Sequence, residues 1–436
     1  MFLFVFICLN IVVLFLNYSE QTKKYAFVGL LAILFIEPVF QKLTDSSLFG
    51  STFLVFGFDR IKTNIVFGSV LLLMVMFPRS RKMLKGANIF IFAVIIFHLL
   101  NVLFSINQQN SFAIFIVGIL VPICFYKALT SFGPQFYYNN DIILQSIYLG
   151  IIIFIGIGLV MFNKSGLQAS DIGVNRVGGS IWLSNVSTQI LAVFFPLLFI
   201  NNDNKKINFL RIFGLLLYLI LLIVSVSRTA LIVYLVMAAL FVLKTKNKVL
   251  FICLGVLGLF IFYYVLVSFF NVDIINMYSS RFEKTGSVTN TIESDARGNV
   301  FREALNSFAD SNIFLGNGLS TFNLVNSAGY SNAHNIVLNI LVERGLIGLG
   351  IVVTFFYTIF KRMNHLLSSF KLNESDRKII TAFRTGLIGY LLIGMTGNDL
   401  FINSGFINGW PLCCIIVSIV VIEAKLFKYK SDVAKN

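Results

Sequence analysis

Apolar runs long enough to cross a membrane, roughly 17 to 25 residues for a ~30 Å hydrocarbon core, recur from the first residues almost to the last. Lipid offers the backbone no hydrogen-bond partner, so such runs are confined to helices that satisfy their own amides. Hydrophobic residues make up 57% of the chain and charged residues 12%, with mean hydropathy +0.87, which leaves no stretch for a separate soluble domain. The expected fold is therefore all-α, a single membrane domain over 1–436 with twelve or thirteen spans.

The spans fall at about 2–16, 25–40, 61–78, 87–104, 111–126, 142–162, 181–200, 208–226, 229–243, 248–270, 335–360, 380–397 and 409–424. The run 1–16 lacks a basic leader and a small-residue cleavage site, so it reads as a retained first span. Cys8, Cys124, Cys253, Cys413 and Cys414 all lie inside apolar runs with no CxxC pair and read as packing residues.

Lys and Arg set the orientation, because they collect on the cytoplasmic side of short loops. The span map puts 23 of the 34 Lys and Arg on one side with 7 Asp and Glu, and 11 on the other with 12. The net charge is +16 inside and −1 outside, within a total of +15. The basic balance thus follows membrane orientation and gives no support to nucleic-acid binding. The C-terminus is expected inside, as for a protein of a bacterial inner membrane.

Two outer loops stand out, 163–180 and the 63 residues of 271–333. A loop of that length in a compact protein is functional or disordered. In its second half Ser294 can cap a helix whose apolar stripe is Val300, Phe301, Ala304, Leu305 and Phe308, with Gly316 and Gly318 breaking it.

Topology separates the three histidines: His98 lies within a span, His365 among cytoplasmic cations, and His334 on the outer face where the large loop enters a helix. An imidazole there is a candidate for proton transfer, and equally a helix-start residue satisfied by backbone groups. The apolar stretch 207–243 must turn near Ser227-Arg228-Thr229, and a charge kept there either meets an anion or snorkels to headgroups. Arg176, Arg297 and Arg302 add guanidinium groups on the same side, suited to phosphate oxygens or to ion pairs with the loop's six acidic residues. No P-loop, GxGxxG, HExxH, paired-His motif or DxD cluster is present, so neither cofactor nor metal is expected. An activated sugar outside the cell would then be a lipid-linked pyrophosphate.

Four stretches together resemble the O-antigen polymerase and ligase superfamily of integral membrane glycosyltransferases. They are Arg176-Val-Gly-Gly-Ser-Ile-Trp-Leu-Ser-Asn185, with Ser184 where the family carries Pro; Ser227-Arg228-Thr229; Arg297-Gly-Asn-Val-Phe-Arg302 leading to Gly316-Asn-Gly318 and Phe322; and His334-Asn335-x-x-Leu338-x-x-Leu341-x-Glu343-x-Gly345. They cover roughly 170–360, and the first 170 residues match only as apolar spans.

The resemblance implies a metal-independent transfer with inversion, His334 as base, and Arg228, Arg297, Arg176 and Arg302 on the pyrophosphate, with Asn335 and Glu343 in support. On a continuous helix Glu343 would lie ~13.5 Å from His334 and face the other way, so it would pair with Arg344 or fix the turn at Gly345. The implied partners are undecaprenyl-pyrophosphate-linked glycans as donor and acceptor, the bilayer, and a chain-length regulator. Polymerisation of repeat units is the expected reaction; transfer to lipid A core by a ligase and transport of lipid-linked sugars are the alternatives.

Overall fold

The computed structural model describes residues 2–17, 19, 21–45, 62–76, 88–165, 168–169, 175–176, 184–225, 228–242, 296–327, 332–395 and 409–433. The fold is an all-α bundle. Its helices are α1 (Phe2–Leu16), α2 (Lys23–Asp45), α3 (Lys62–Met76), α4 (Asn88–Leu103), α5 (Gln108–Phe115), α6 (Val121–Ser131), α7 (Asn140–Ser165), α8 (Ser184–Leu191), α9 (Lys205–Ser225) and α10 (Arg228–Val242). They continue with α11 (Ala296–Ala309), α12 (Phe322–Val325), α13 (Ile336–Ser369), α14 (Glu374–Gly394) and α15 (Trp410–Val433). A two-residue antiparallel pairing joins Gln168–Ala169 to Asn175–Arg176. The span expected over 248–270, and 271–295 of the large loop with Ser294, lie outside the described residues.

Among the described residues, Gln108–Ser131, Asn140–Ile157 and Ile336–Ser369 are each long and apolar enough to cross a membrane. The first joins α5 to α6 through a π turn at Ile116–Leu120. Large apolar side chains also remain on the outside of the bundle. Along α4, Ile89, Phe92, Ile96, Leu99 and Leu103 are exposed at helical spacing, as lipid-facing residues of a membrane helix are.

The span expected over 181–200 is not continuous. Pro196 has no amide to give the carbonyl four residues back, and its ring would collide with that carbonyl. The helix α8 accordingly ends at Leu191, and the chain turns through 192–194 before the 3₁₀ segment Phe195–Phe199. Three buried tyrosines bond to carbonyls around this break. The Tyr234 hydroxyl donates to Thr188 O at 2.6 Å, the Tyr148 hydroxyl to Leu197 O at 2.7 Å, and the Tyr218 hydroxyl to Leu191 O. The helix α14 approaches here through Gly386, where a Cβ would sit 2.2 Å from Val193 O.

A second break lies in α13, at Gly345, whose φ of 61° and ψ of −165° are open to glycine and costly to any L side chain. A helix broken there loses the bonds from the amides of Leu346 and Ile347 to the carbonyls of Val342 and Glu343. The large loop supplies replacements for all four groups. Asn317 N donates to Val342 O at 2.9 Å and Gly318 N to Glu343 O at 3.0 Å. In return Leu346 N donates to Ile313 O at 2.8 Å and Ile347 N to Phe314 O at 3.3 Å.

Such an approach leaves no room for side chains. A Cβ on Gly316 would meet the Glu343 carbonyl carbon at 2.4 Å, and one on Gly345 the Phe314 carbonyl at the same distance. The Gly-x-Gly element thus serves the break in α13, and α11 ends earlier, at Ala309, where the expectation had the glycines terminate it. Its Val300 and Ala304 pack with Phe322, Ala333 and Val342 in a small core of their own, while Leu305, expected in the stripe, is exposed.

At the other, lysine-rich end of the bundle the helices are tied by charge. Asp376 and Lys425 are both fully buried and bond at 2.6 Å; Asn140 donates to Asp376 at 2.8 Å, Tyr429 donates at 2.8 Å, and Lys428 stands 3.3 Å away. Burial alone would raise the Asp376 carboxyl, but the bonds from Lys425, Asn140 and Tyr429 outweigh it and bring the group down to about 2. A depressed carboxylate stabilises the fold at pH values above its unfolded pKa, and the contribution, about 2 kcal/mol, is lost as pH falls from about 4 towards 2. The unfolding midpoint of the wild type in detergent should drop through that window. Asp376→Asn, which leaves Lys425 buried without its carboxylate, should be destabilised by about 3–5 kcal/mol at pH 6 and respond less below pH 4.

Candidate functional site

The start of α13 is built around asparagines. Asn335 caps the helix, its Oδ1 accepting from Val337 N at 2.9 Å and Leu338 N at 3.1 Å. Its amide Nδ2 donates to Met395 O at 3.0 Å, which fastens the helix start to the end of α14. Asn339, one turn further on and buried, accepts from Ala333 N at 2.7 Å, and Asn332 accepts from His334 N at 2.8 Å. His334 therefore sits between two fixed amides in a left-handed conformation, φ 48°, that few residues other than glycine adopt. Its side chain is half-buried. Strain of this kind persists only where the surroundings over-determine the backbone, and it collects at functional positions.

Other motif-bearing segments meet this point. A Cβ on Gly394 of α14 would lie 2.8 Å from Gln189 Nε2 of α8 and 3.3 Å from Ile336 Cδ1, so α8, α13 and α14 touch beside Asn335. The bond from Tyr234 to Thr188 joins α10 to the same place. Arg228 heads α10 six residues before Tyr234, or ~9 Å of helix, and Ser184 heads α8 four residues before Thr188. The starts of α8, α10 and α13 and the end of α14 thus share one end of the bundle, opposite Asp376 and Lys425.

Among the other expected site residues, Arg176 lies in the two-residue pairing and Arg297 in the first turn of α11, three residues before Val300. Of the side chains of Arg176, Arg228 and Arg297 nothing is described. Arg302 is exposed, two residues from both Val300 and Ala304 and so on the opposite face of α11 from the small core.

Glu343 is buried. Its carboxylate stands 3.9 Å from the guanidinium of the fully buried Arg344 and accepts from Phe322 N at 3.4 Å. Of the alternatives expected for Glu343, the pairing with Arg344 describes its position, and the helix is unbroken from Ile336 to Arg344, the break at Gly345 falling just beyond it.

Asn101 escaped notice in the sequence. Buried in α4, it donates to Leu315 O at 2.6 Å and Glu343 O at 2.9 Å, joining helix, loop and break. The only sequence signal was an asparagine inside an apolar run. Ser105 and Ser111 extend the join, bonding each other at 2.6 Å while Ser111 donates to Leu319 O at 2.9 Å.

Residues 213–353 match the family model described as O-antigen ligase. They span from α9 to the membrane part of α13, across both His334 and the Gly345 break. That match, about a third of the chain, is a similarity to the O-antigen ligase and polymerase superfamily over the segment that carries three of the four motif stretches. Members of that family are membrane glycosyltransferase-like enzymes, and the apolar helices of this chain agree with a membrane protein. No curated protein matches the chain.

The asparagine frame around His334 carries a prediction of its own. Asn339→Ala removes the acceptor for a buried amide and should cost about 1–3 kcal/mol of stability. Amide exchange at Ala333 should speed up correspondingly. Unchanged exchange there would mean that Asn339 does not hold the loop.

Proposed function

We propose that this protein is a surface-polysaccharide polymerase of the O-antigen type, acting on the outer face of a bacterial inner membrane with its C-terminus in the cytoplasm. The substrates are undecaprenyl-pyrophosphate-linked repeat units, one as donor and one as acceptor. The observation that carries the reading is the placement of His334 in a fixed, strained backbone at the start of α13, inside the family-matched segment and beside the ends of α8, α10 and α14.

In the proposed reaction the acceptor hydroxyl gives its proton to His334 as its oxygen bonds to the anomeric carbon of the donor. The bond from that carbon to the pyrophosphate oxygen breaks, and undecaprenyl pyrophosphate leaves with the electron pair. A single displacement of this kind inverts the anomeric centre. Arg228, Arg297, Arg176 and Arg302 neutralise the charge that grows on the leaving group, the task a divalent cation performs in nucleotide-sugar enzymes. Asn335 holds the helix start against Met395, and Glu343 supports the break below it. A chain-length regulator is the proposed protein partner.

A second reading, the ligase that delivers the glycan to lipid A core, is favoured by the description of the matching family. Both use one donor and differ in the acceptor. The test is purified protein in detergent with the lipid-linked repeat unit as sole substrate and EDTA present. His334→Asn is the informative variant, since asparagine tolerates positive φ but is no base at neutral pH. A glycan ladder from wild type that falls by about 100-fold or more in the variant, at an unchanged unfolding midpoint, supports the polymerase with His334 as base. A ladder equal in both would remove His334 from the chemistry. Product only after lipid A core is added would identify the ligase, and no product with either acceptor would return the chain to the transport reading.

A further inference from the structure

The loop that fills the Gly345 break, 311–322, holds no charged residue. Two of its large apolar side chains point outward: Ile313 is 49% and Phe314 63% exposed. Their carbonyls are bonded to the amides of Leu346 and Ile347, which fixes their height against the first turn of α13 after the break.

That turn begins a lipid-facing stripe. Leu346 and Ile347, 46% and 44% exposed, are followed at helical spacing by exposed Gly350, Val353 and Tyr357 along the membrane part of α13. The outward stripe of α4 climbs to the same place, ending in exposed Leu103, Phe104 and Ile106, and Ile106 N donates to Asn317 O at 3.0 Å. Ile313 and Phe314 therefore continue two membrane-facing surfaces without interruption. Bare water over this patch would leave a contiguous apolar area of the kind soluble surfaces avoid.

We propose that 311–322 is seated in the bilayer, with Ile313 and Phe314 inserted among the acyl chains of the leaflet on the His334 side. The loop backbone spends its polar groups on the break in α13 and on Asn101, Asn110 and Ser111, which meets the requirement lipid imposes on irregular chain. Seating the loop there holds the break, and through it the start of α13, at a set depth in the membrane. The inference is independent of the reaction assigned to the site.

The test uses the full chain in lipid nanodiscs. The protein has two tryptophans, Trp182 and Trp410, so Phe314→Trp is read as the signal added over wild type. Phospholipids brominated on the upper acyl chain should quench the added emission several-fold, and aqueous iodide should leave it nearly unchanged. Quenching by iodide and not by bromolipid would overturn the proposal, placing Phe314 in water. Protection from both would also overturn it, since another protein surface would then cover the patch. Ile313→Trp, read the same way, serves if the first variant does not fold.

Discussion

A helix interrupted inside an apolar bundle leaves amides and carbonyls that water cannot reach, and the rest of this structure depends on how that is resolved at Gly345. Four backbone groups lose their helical partners there, and four bonds to 313–318 replace them. The exchange is possible because glycine stands on both sides of the contact, at 345 in the helix and at 316 in the loop, while Gly318 makes room for Ser105 beside it. Asn101 from α4 then bonds to both parties. The large loop is consequently part of the bundle at this point, with its backbone as firmly placed as a helix.

This arrangement explains why His334 can be strained. The segment before the break is held from below by the loop, from the side by the packing of Val300, Ala304 and Phe322, and from above by the bond from Asn335 to Met395. With so many restraints on nine residues of helix, the residue preceding its cap has little freedom to relax out of a positive φ. Precise placement of a reacting side chain is better supplied by a rigid element than by a free loop, and here a short helix is made rigid by its neighbours.

Much of the fold was legible in the sequence because membrane-length apolar runs permit little besides helices. The positions of Asn140, Asp376 and Lys425 at one end, and of His334 and Met395 at the other, agree in relative sense with the directions assigned to the four spans that carry them. Less legible was how spans stop. Pro196 could have signalled the break after Leu191, yet the apolar character of 181–200 runs straight through it. The glycines at 316, 318 and 345 were visible as motif elements, but their pairing across the fold is a tertiary fact that periodicity cannot carry. Glu343 was placed beside Arg344, but the form of the break that follows it at Gly345 was not foreseen. Asn101 gave no signal, since one amide in an apolar run has many uses.

The dependence of the site on the break is tested most directly by hydrogen exchange in nanodiscs, comparing the amides of Asn317 and Gly318 with those of Leu346 and Ile347. If loop and helix form one cooperative unit, all four exchange slowly at similar rates. They should then speed up together in Gly318→Ala, whose Cβ would meet Ser105 at 2.0 Å. Fast exchange at Asn317 and Gly318 beside protected Leu346 and Ile347 would contradict the account, because the helix break would then be sealed by something other than this loop.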